Sequence, residues 1–210
     1  MTELFADLPR AVPPTPAPRK AKGRAAVHGA GIALVPAYLP TLRRLARDSS
    51  SALEIGKAAE HLVCADLILH GFRCYLSDQG LPYDVVVDLD GNLIRIQVKA
   101  TCFPRDVNSQ GRAERIAYSF PVRRRGKSQK GRLSTKECDI VALVALDIQA
   151  IAYLPIASVG TTCQLMCPGH EFRGQYRRSR YAPITGFPFG AALDCLRKGV
   201  VKSAGGNGQP

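Results

Sequence analysis

The chain has 210 residues, 46% hydrophobic and 22% charged, with 29 Lys+Arg against 17 Asp+Glu for a formal net charge of +12. That length and apolar content suit one globular domain with tails, large enough to bury a core without disulfide or metal staples. Collagen-like, coiled-coil and wholly disordered chains are excluded, no apolar run reaches the roughly 18 residues of a membrane span, and the positive excess points to a polyanion partner.

Residues 1–48 read as a flexible Pro-rich basic arm: Pro13, Pro14, Pro16 and Pro18 precede Arg19, Lys20, Lys22 and Arg24. Within it, residues 37–47 (AYLPTLRRLAR) suit a short basic helix. The working domain is expected over 49–199. It opens with an apolar-periodic helix from Ser51 to His70, where Ser51 and Glu54 have capping-box spacing and Gly71 stands where a helix ends. A short strand is expected at 74–76, then two strands, 83–89 and 92–100, around Asp90-Gly91, a dipeptide favoured in tight hairpins. Further strands are expected at 115–122, 139–147 and 150–156, and a helix at 189–198 capped by Gly199. Residues 200–210 read as a Gly-rich tail. Helix, strands, then helix make an α/β or α+β domain.

Seven cysteines, at 64, 74, 102, 138, 163, 167 and 195, form no disulfide framework, which suits a reducing, cytoplasmic setting. Glu3, Asp7 and the broken apolar stretch 25–39 make a poor signal peptide. Cys163, Cys167 and His170 have partial zinc spacing, but a structural zinc wants four ligands in close pairs, and Cys138 and Cys195 are remote.

The hairpin carries the chemistry. A two-residue turn at Asp90-Gly91 sets Val85 opposite Ile96 and Asp84 opposite Gln97. Alternation then puts Val85, Val87, Ile94, Ile96 and Val98 on one face and Asp84, Arg95, Gln97 and Lys99 on the other. Opposed side chains have Cβ atoms roughly 4.5–5.5 Å apart, close enough for two oxygens to share a cation. The bland alternative is a solvated polar face in which Asp84 pairs with Lys99 or Arg95. Glu60 adds an acid mid-helix, with Gly56 and Cys64 one turn to either side.

Glu60, Pro82-Tyr83-Asp84 and Gln97-Val98-Lys99 together resemble the PD-(D/E)xK nuclease superfamily in its Gln-bearing form. Residues 50–102 are similar to small nucleases that include group I intron homing endonucleases and, more distantly, Holliday-junction resolvases; residues 138–159 resemble the later strands of that fold. The resemblance implies an α/β restriction-endonuclease-like core, a mixed sheet of about five strands flanked by helices. It implies that Asp84, Gln97 and the Val98 carbonyl hold Mg²⁺ or Mn²⁺, that Glu60 supports the metal shell, and that Lys99 orients and helps deprotonate water. Gln97 in place of an acid removes one negative charge and should weaken cation binding. Homo-oligomers, dimers or tetramers, are implied because two strands need two sites.

Between Arg105 and Lys136 ten basic residues face two acids, Asp106 and Glu114. Arg112, Arg115, Arg123, Arg124, Arg125, Lys127, Lys130 and Arg132, with Arg95 and a second cluster at Arg177, Arg178 and Arg180, are the expected nucleic-acid contacts. The expectation is a metal-dependent DNA endonuclease, homing or site-specific. A junction resolvase on branched DNA, or a non-catalytic nucleic-acid-binding protein that kept the fold, are the alternatives.

Overall fold

A computed structural model describes residues 37–107, 116–123, 131, 133–169 and 182–204. The arm over 1–36 and the end of the tail lie outside the described residues. Helix α1, Leu39–Arg47, starts with proline in its first turn, and Leu42 is buried in the core. The Tyr38 hydroxyl donates to the Asp147 carbonyl at 3.0 Å, tying the start of α1 to a distant turn. Packed structure thus extends N-terminal of the boundary drawn at residue 48.

Helix α2, Ala52–Leu69, buries Ala59, Val63 and Leu67, one per turn on a single stripe. Its start differs from the expected capping box, because Ser51 makes no side-chain cap. Asp48 takes that duty instead, accepting from Ser50 N at 2.9 Å, Ser50 Oγ at 2.7 Å and Ser51 Oγ at 3.3 Å across a tight 3₁₀ turn. The end is as expected. Gly71 has φ +84°, its N–H donates to the Ile68 carbonyl, and the Phe72 N–H donates to the Leu67 carbonyl, a Schellman closure that needs a residue free to adopt positive φ.

The main sheet has five strands in the order β1-β2-β3-β6-β7: β1 Arg73–Leu76, β2 Val85–Leu89, β3 Asn92–Thr101, β6 Ile140–Ala145 and β7 Ala150–Pro155. β3 and β6 pair in parallel and the other neighbours antiparallel, so the sheet is mixed. The β2–β3 hairpin has the expected register, Val85 against Ile96 and Leu89 against Asn92. Asp90 and Gly91 both take positive φ, 53° and 90°, which a two-residue hairpin turn requires. Strand β6, IVALVA, is buried at every position, as a strand covered on both faces must be.

Between β3 and β6 the chain makes β4, Arg105–Asp106, and β5, Ile116–Pro121; with β8, Thr162–Met166, these form a second, three-stranded antiparallel sheet. The strand expected at 115–122 therefore lies in the second sheet, and β8 was not anticipated. Helix α3, Phe189–Ala204, runs on through Gly199 rather than ending there. Two cores result. On one face of the main sheet Val85, Val87, Ile96 and Val144 pack with α2 and with Phe189 and Leu193 of α3. On the other, Val141, Leu143 and Ala152 pack against Tyr118, Phe120 and Leu165 of the second sheet. Fully burying such a side chain contributes roughly 1.5–3 kcal/mol each.

Candidate active site

β2 is shorter than β3. It begins at Val85, just after Pro82-Tyr83-Asp84, whereas β3 continues to Thr101. Where β2 stops, backbone and side-chain groups together carry on its hydrogen bonds. Asp84 N donates to the Ile96 carbonyl at 2.9 Å, and the Asp84 carboxylate accepts the Val98 N–H at 2.7 Å. The Tyr83 carbonyl accepts from Ser77 Oγ at 2.5 Å, and the Asp84 carbonyl accepts from Ser77 N at 2.9 Å. This short ladder fixes Asp84 at the mouth of a groove of about 820 Å³, lined also by Glu60, Gln97, Val98, Lys99 and Arg123.

The structure brings together Glu60, Asp84, Gln97 and Lys99, the four side chains singled out from sequence. The Gln97 amide N–H donates to the Asp84 carboxylate and reaches the Val98 carbonyl at 3.5 Å. Lys99 lies near enough for its charge to favour the ionised Asp84. Glu60 reaches the groove from α2 and pairs with Lys57 at 2.7 Å. Lys57 escaped the sequence reading, although its i,i+3 spacing from Glu60 was a usable signal. Gly56 lines the groove, and a Cβ there would meet nothing within 4 Å, so the glycine leaves the groove open rather than serving packing. Cys64, one turn beyond Glu60, turns instead to the core, where the Cys74 thiol donates to its carbonyl at 3.4 Å.

Burial pushes the Asp84 carboxyl above its ordinary range. The Val98 N–H opposes that rise, the nearby Glu60 adds to it, and Lys99 and Lys57 pull the other way. A partly buried carboxylate disfavoured in its charged form gains most from an arriving cation. Two carboxylates and the Val98 carbonyl are hard oxygen donors suited to Mg²⁺ or Mn²⁺, whereas Gln97 turns its amide nitrogen to Asp84 and Val98 and would offer its oxygen to a cation only with the amide turned over. Among the described residues no cluster of three or more His, Cys, Asp or Glu side chains is placed to hold a metal, so Gln97 and Val98 would have to complete any shell built on Asp84 and Glu60.

Arg95 has a different employment from the phosphate contact expected of it. Its guanidinium donates to Asp139 Oδ1 at 2.8 Å and Oδ2 at 3.1 Å, and to the Lys136 and Thr135 carbonyls at 2.7 and 2.8 Å. Asp139 was missed because its partner is 44 residues away in sequence. Arg123 does line the groove. Arg112, Arg115, Arg124, Arg125, Lys127, Lys130, Arg132, Arg177, Arg178 and Arg180 lie outside the described residues, as does His170. Cys163 lies within β8 and Cys167 just after its end, both packed on the second core; burial pushes the Cys163 thiol up to about 11, and Cys167 Sγ donates to the Tyr118 hydroxyl at 3.7 Å.

A mixed five-stranded sheet with helices on one face, and an acid at the start of the hairpin's first strand, has restriction-endonuclease-like architecture. A family model described as PD-(D/E)XK endonuclease matches residues 51–179, and the chain belongs to that family. In fold it is similar to the bacterial homing endonuclease I-Ssp6803I, at 19% identity and a TM-score of 0.50 over 73% of this chain and 98% of that one. No curated protein matches it. No described helix is long and apolar enough to cross a membrane.

Proposed function

We propose that the chain hydrolyses DNA phosphodiester bonds at this groove, with Mg²⁺ or Mn²⁺ held by Asp84, Gln97 and the Val98 carbonyl and supported by Glu60. The convergence of Asp84, Gln97 and Lys99 at one groove, with Glu60 reaching it from α2, carries the reading. When bound, the cation supplies Lewis-acid stabilisation of the charge that develops on the phosphate. Asp84, fixed by the Val98 N–H, positions that charge. Lys99 orients the attacking water and compensates the developing negative charge. Arg123 holds the flanking backbone. A duplex presents two strands, so double-strand cleavage takes two copies of the site, as a dimer or tetramer. Family membership and the homing-endonuclease neighbour support a site-specific endonuclease over a non-catalytic binder.

Supercoiled plasmid with Mg²⁺ or Mn²⁺ tests the reading. Wild type nicks or linearises it, whereas Asp84→Ala and Lys99→Ala bind DNA and cleave slower by roughly 10²–10⁴-fold, the usual contribution of a positioned proton-transfer group. Cleavage that survives either substitution rejects the site.

A further inference from the structure

Helix α1 stands before the family-matched residues 51–179, yet it forms part of the wall of the same groove: Ala46 lines it together with Gly56, Asp84 and Phe103. The Arg43 guanidinium lies 5.8 Å above the Phe103 ring centroid, on the groove side of the helix. Rotation of roughly 100° per residue sets Arg47 one turn along from Arg43 on that flank, and sets Arg44 nearly opposite the buried Leu42, facing away. All three arginines are exposed, and among the described residues no carboxylate pairs with any of them. The helix dipole favours Arg44 and Arg47 in the last turn, but it gives no reason for Arg43 beside the groove. Like charges one turn apart repel. Arg43 and Arg47 thus make a cationic flank with no counterion among the described residues, in contrast to Arg95, whose guanidinium is paired inside the fold. Arg123 supplies a further guanidinium to the groove from the end of β5.

We propose that α1 is a phosphate-gripping wall of the groove, in which Arg43 and Arg47 hold the backbone of duplex DNA beside the bond presented to Asp84. The assignment rests on the nuclease reading for its geometry. Its binding is sequence-independent, since phosphate contacts position without reading bases.

The test is duplex-DNA binding by the full chain in EDTA, across a salt series, so that no cleavage is involved. The variants are Arg43→Gln with Arg47→Gln, Arg47→Gln alone, and Arg44→Gln as a charge-matched control; glutamine keeps the aliphatic stem and removes the charge. Each lost phosphate contact lowers the slope of log K against log salt by about 0.9. The double variant is therefore expected to bind at least tenfold more weakly at moderate salt, with a slope shallower by about 1.8. Arg47→Gln should show about half that slope change, and Arg44→Gln little change. Equal losses in Arg44→Gln and Arg47→Gln, an unchanged slope in the double variant, or no DNA binding by wild type overturn the proposal. Should the double variant melt early, Arg47→Gln against Arg44→Gln decides it. A chain that binds through α1 but never cuts with Mg²⁺ or Mn²⁺ fails the nuclease reading alone; one that cuts normally with the slope unchanged fails α1 alone.

Discussion

Asp84 carries two loads, one for the fold and one for a ligand, and two substitutions separate them. Its carboxylate accepts the Val98 N–H at 2.7 Å and the Gln97 amide. Asp84→Ala leaves the buried Val98 donor without that acceptor, a loss of about 1–3 kcal/mol. Taking about 2 kcal/mol, and roughly 2–4 °C per kcal/mol for a chain of this size, Asp84→Ala should melt about 4–8 °C below wild type. Asp84→Asn keeps an oxygen for Val98 and removes a charge that burial and Glu60 both disfavour. In EDTA it should melt at or above wild type, while cleaving no better than the alanine variant. Adding Mg²⁺ should raise the wild-type melting temperature alone, because binding only the native state at 100 times Kd contributes about 2.7 kcal/mol. Differential scanning calorimetry with and without Mg²⁺ reads all of this. The reasoning fails if Asp84→Asn melts below Asp84→Ala, or if Mg²⁺ shifts Asp84→Asn as far as wild type.

Gln97→Glu places a third carboxylate beside Asp84. Metal-free stability at neutral pH should fall through like-charge repulsion, while Mn²⁺ affinity measured by titration calorimetry should rise on the order of tenfold with the added ligand charge. Asp147 offers a pH test away from the groove. Burial raises its carboxyl, one oxygen of which has no hydrogen-bond partner among the described residues while the other accepts the Tyr118 hydroxyl at 3.1 Å. A raised native pKa means the folded state holds its proton longer, so this group's stabilisation is present below the ordinary carboxylate value and is lost as pH rises through the raised one. The melting temperature of Asp147→Asn relative to wild type should therefore climb from about pH 3 to pH 7, a window set by the ordinary value of roughly 3.9. A constant difference across that range contradicts it.

What was legible in the sequence was local. The Asp90-Gly91 turn, with φ of 53° and 90°, sets the hairpin register, and strand alternation then places Asp84, Gln97 and Lys99 together. Gly71 ended α2 because only a residue tolerant of positive φ closes that Schellman turn. What was not legible depended on distant partners. The Ser51-x-x-Glu54 spacing lost to Asp48, three residues earlier, whose carboxylate reached both Ser50 and Ser51 first. The spacing of Cys163 and Cys167 also follows strand alternation: Cys163, Leu165 and Cys167 all pack on the second core. That periodicity was hidden because β8 pairs with β5 some 45 residues away in sequence, as with Ser119 and Gln164. Arg95 read as a surface cation because Asp139, which claims it, is equally remote.

The groove follows from unequal strand lengths. A proline cannot donate to a ladder, and Pro82 stands where β2 would otherwise extend beside the end of β3. β3 runs on to Thr101 with β6 as its neighbour on the other side, so Gln97–Thr101 has a paired edge and an edge that β2 no longer covers. An uncovered edge inside a fold demands substitutes for its missing hydrogen bonds. Asp84 supplies one with its side chain, taking the Val98 N–H, and the unfilled remainder is the groove. Nuclease chemistry of this kind needs a carboxylate held rigidly in a partly dry opening large enough for a phosphodiester. Ending one strand early provides both, and it explains why the acid sits just before the strand rather than within it: one residue further along, alternation would turn its carboxylate into the apolar core with Val85.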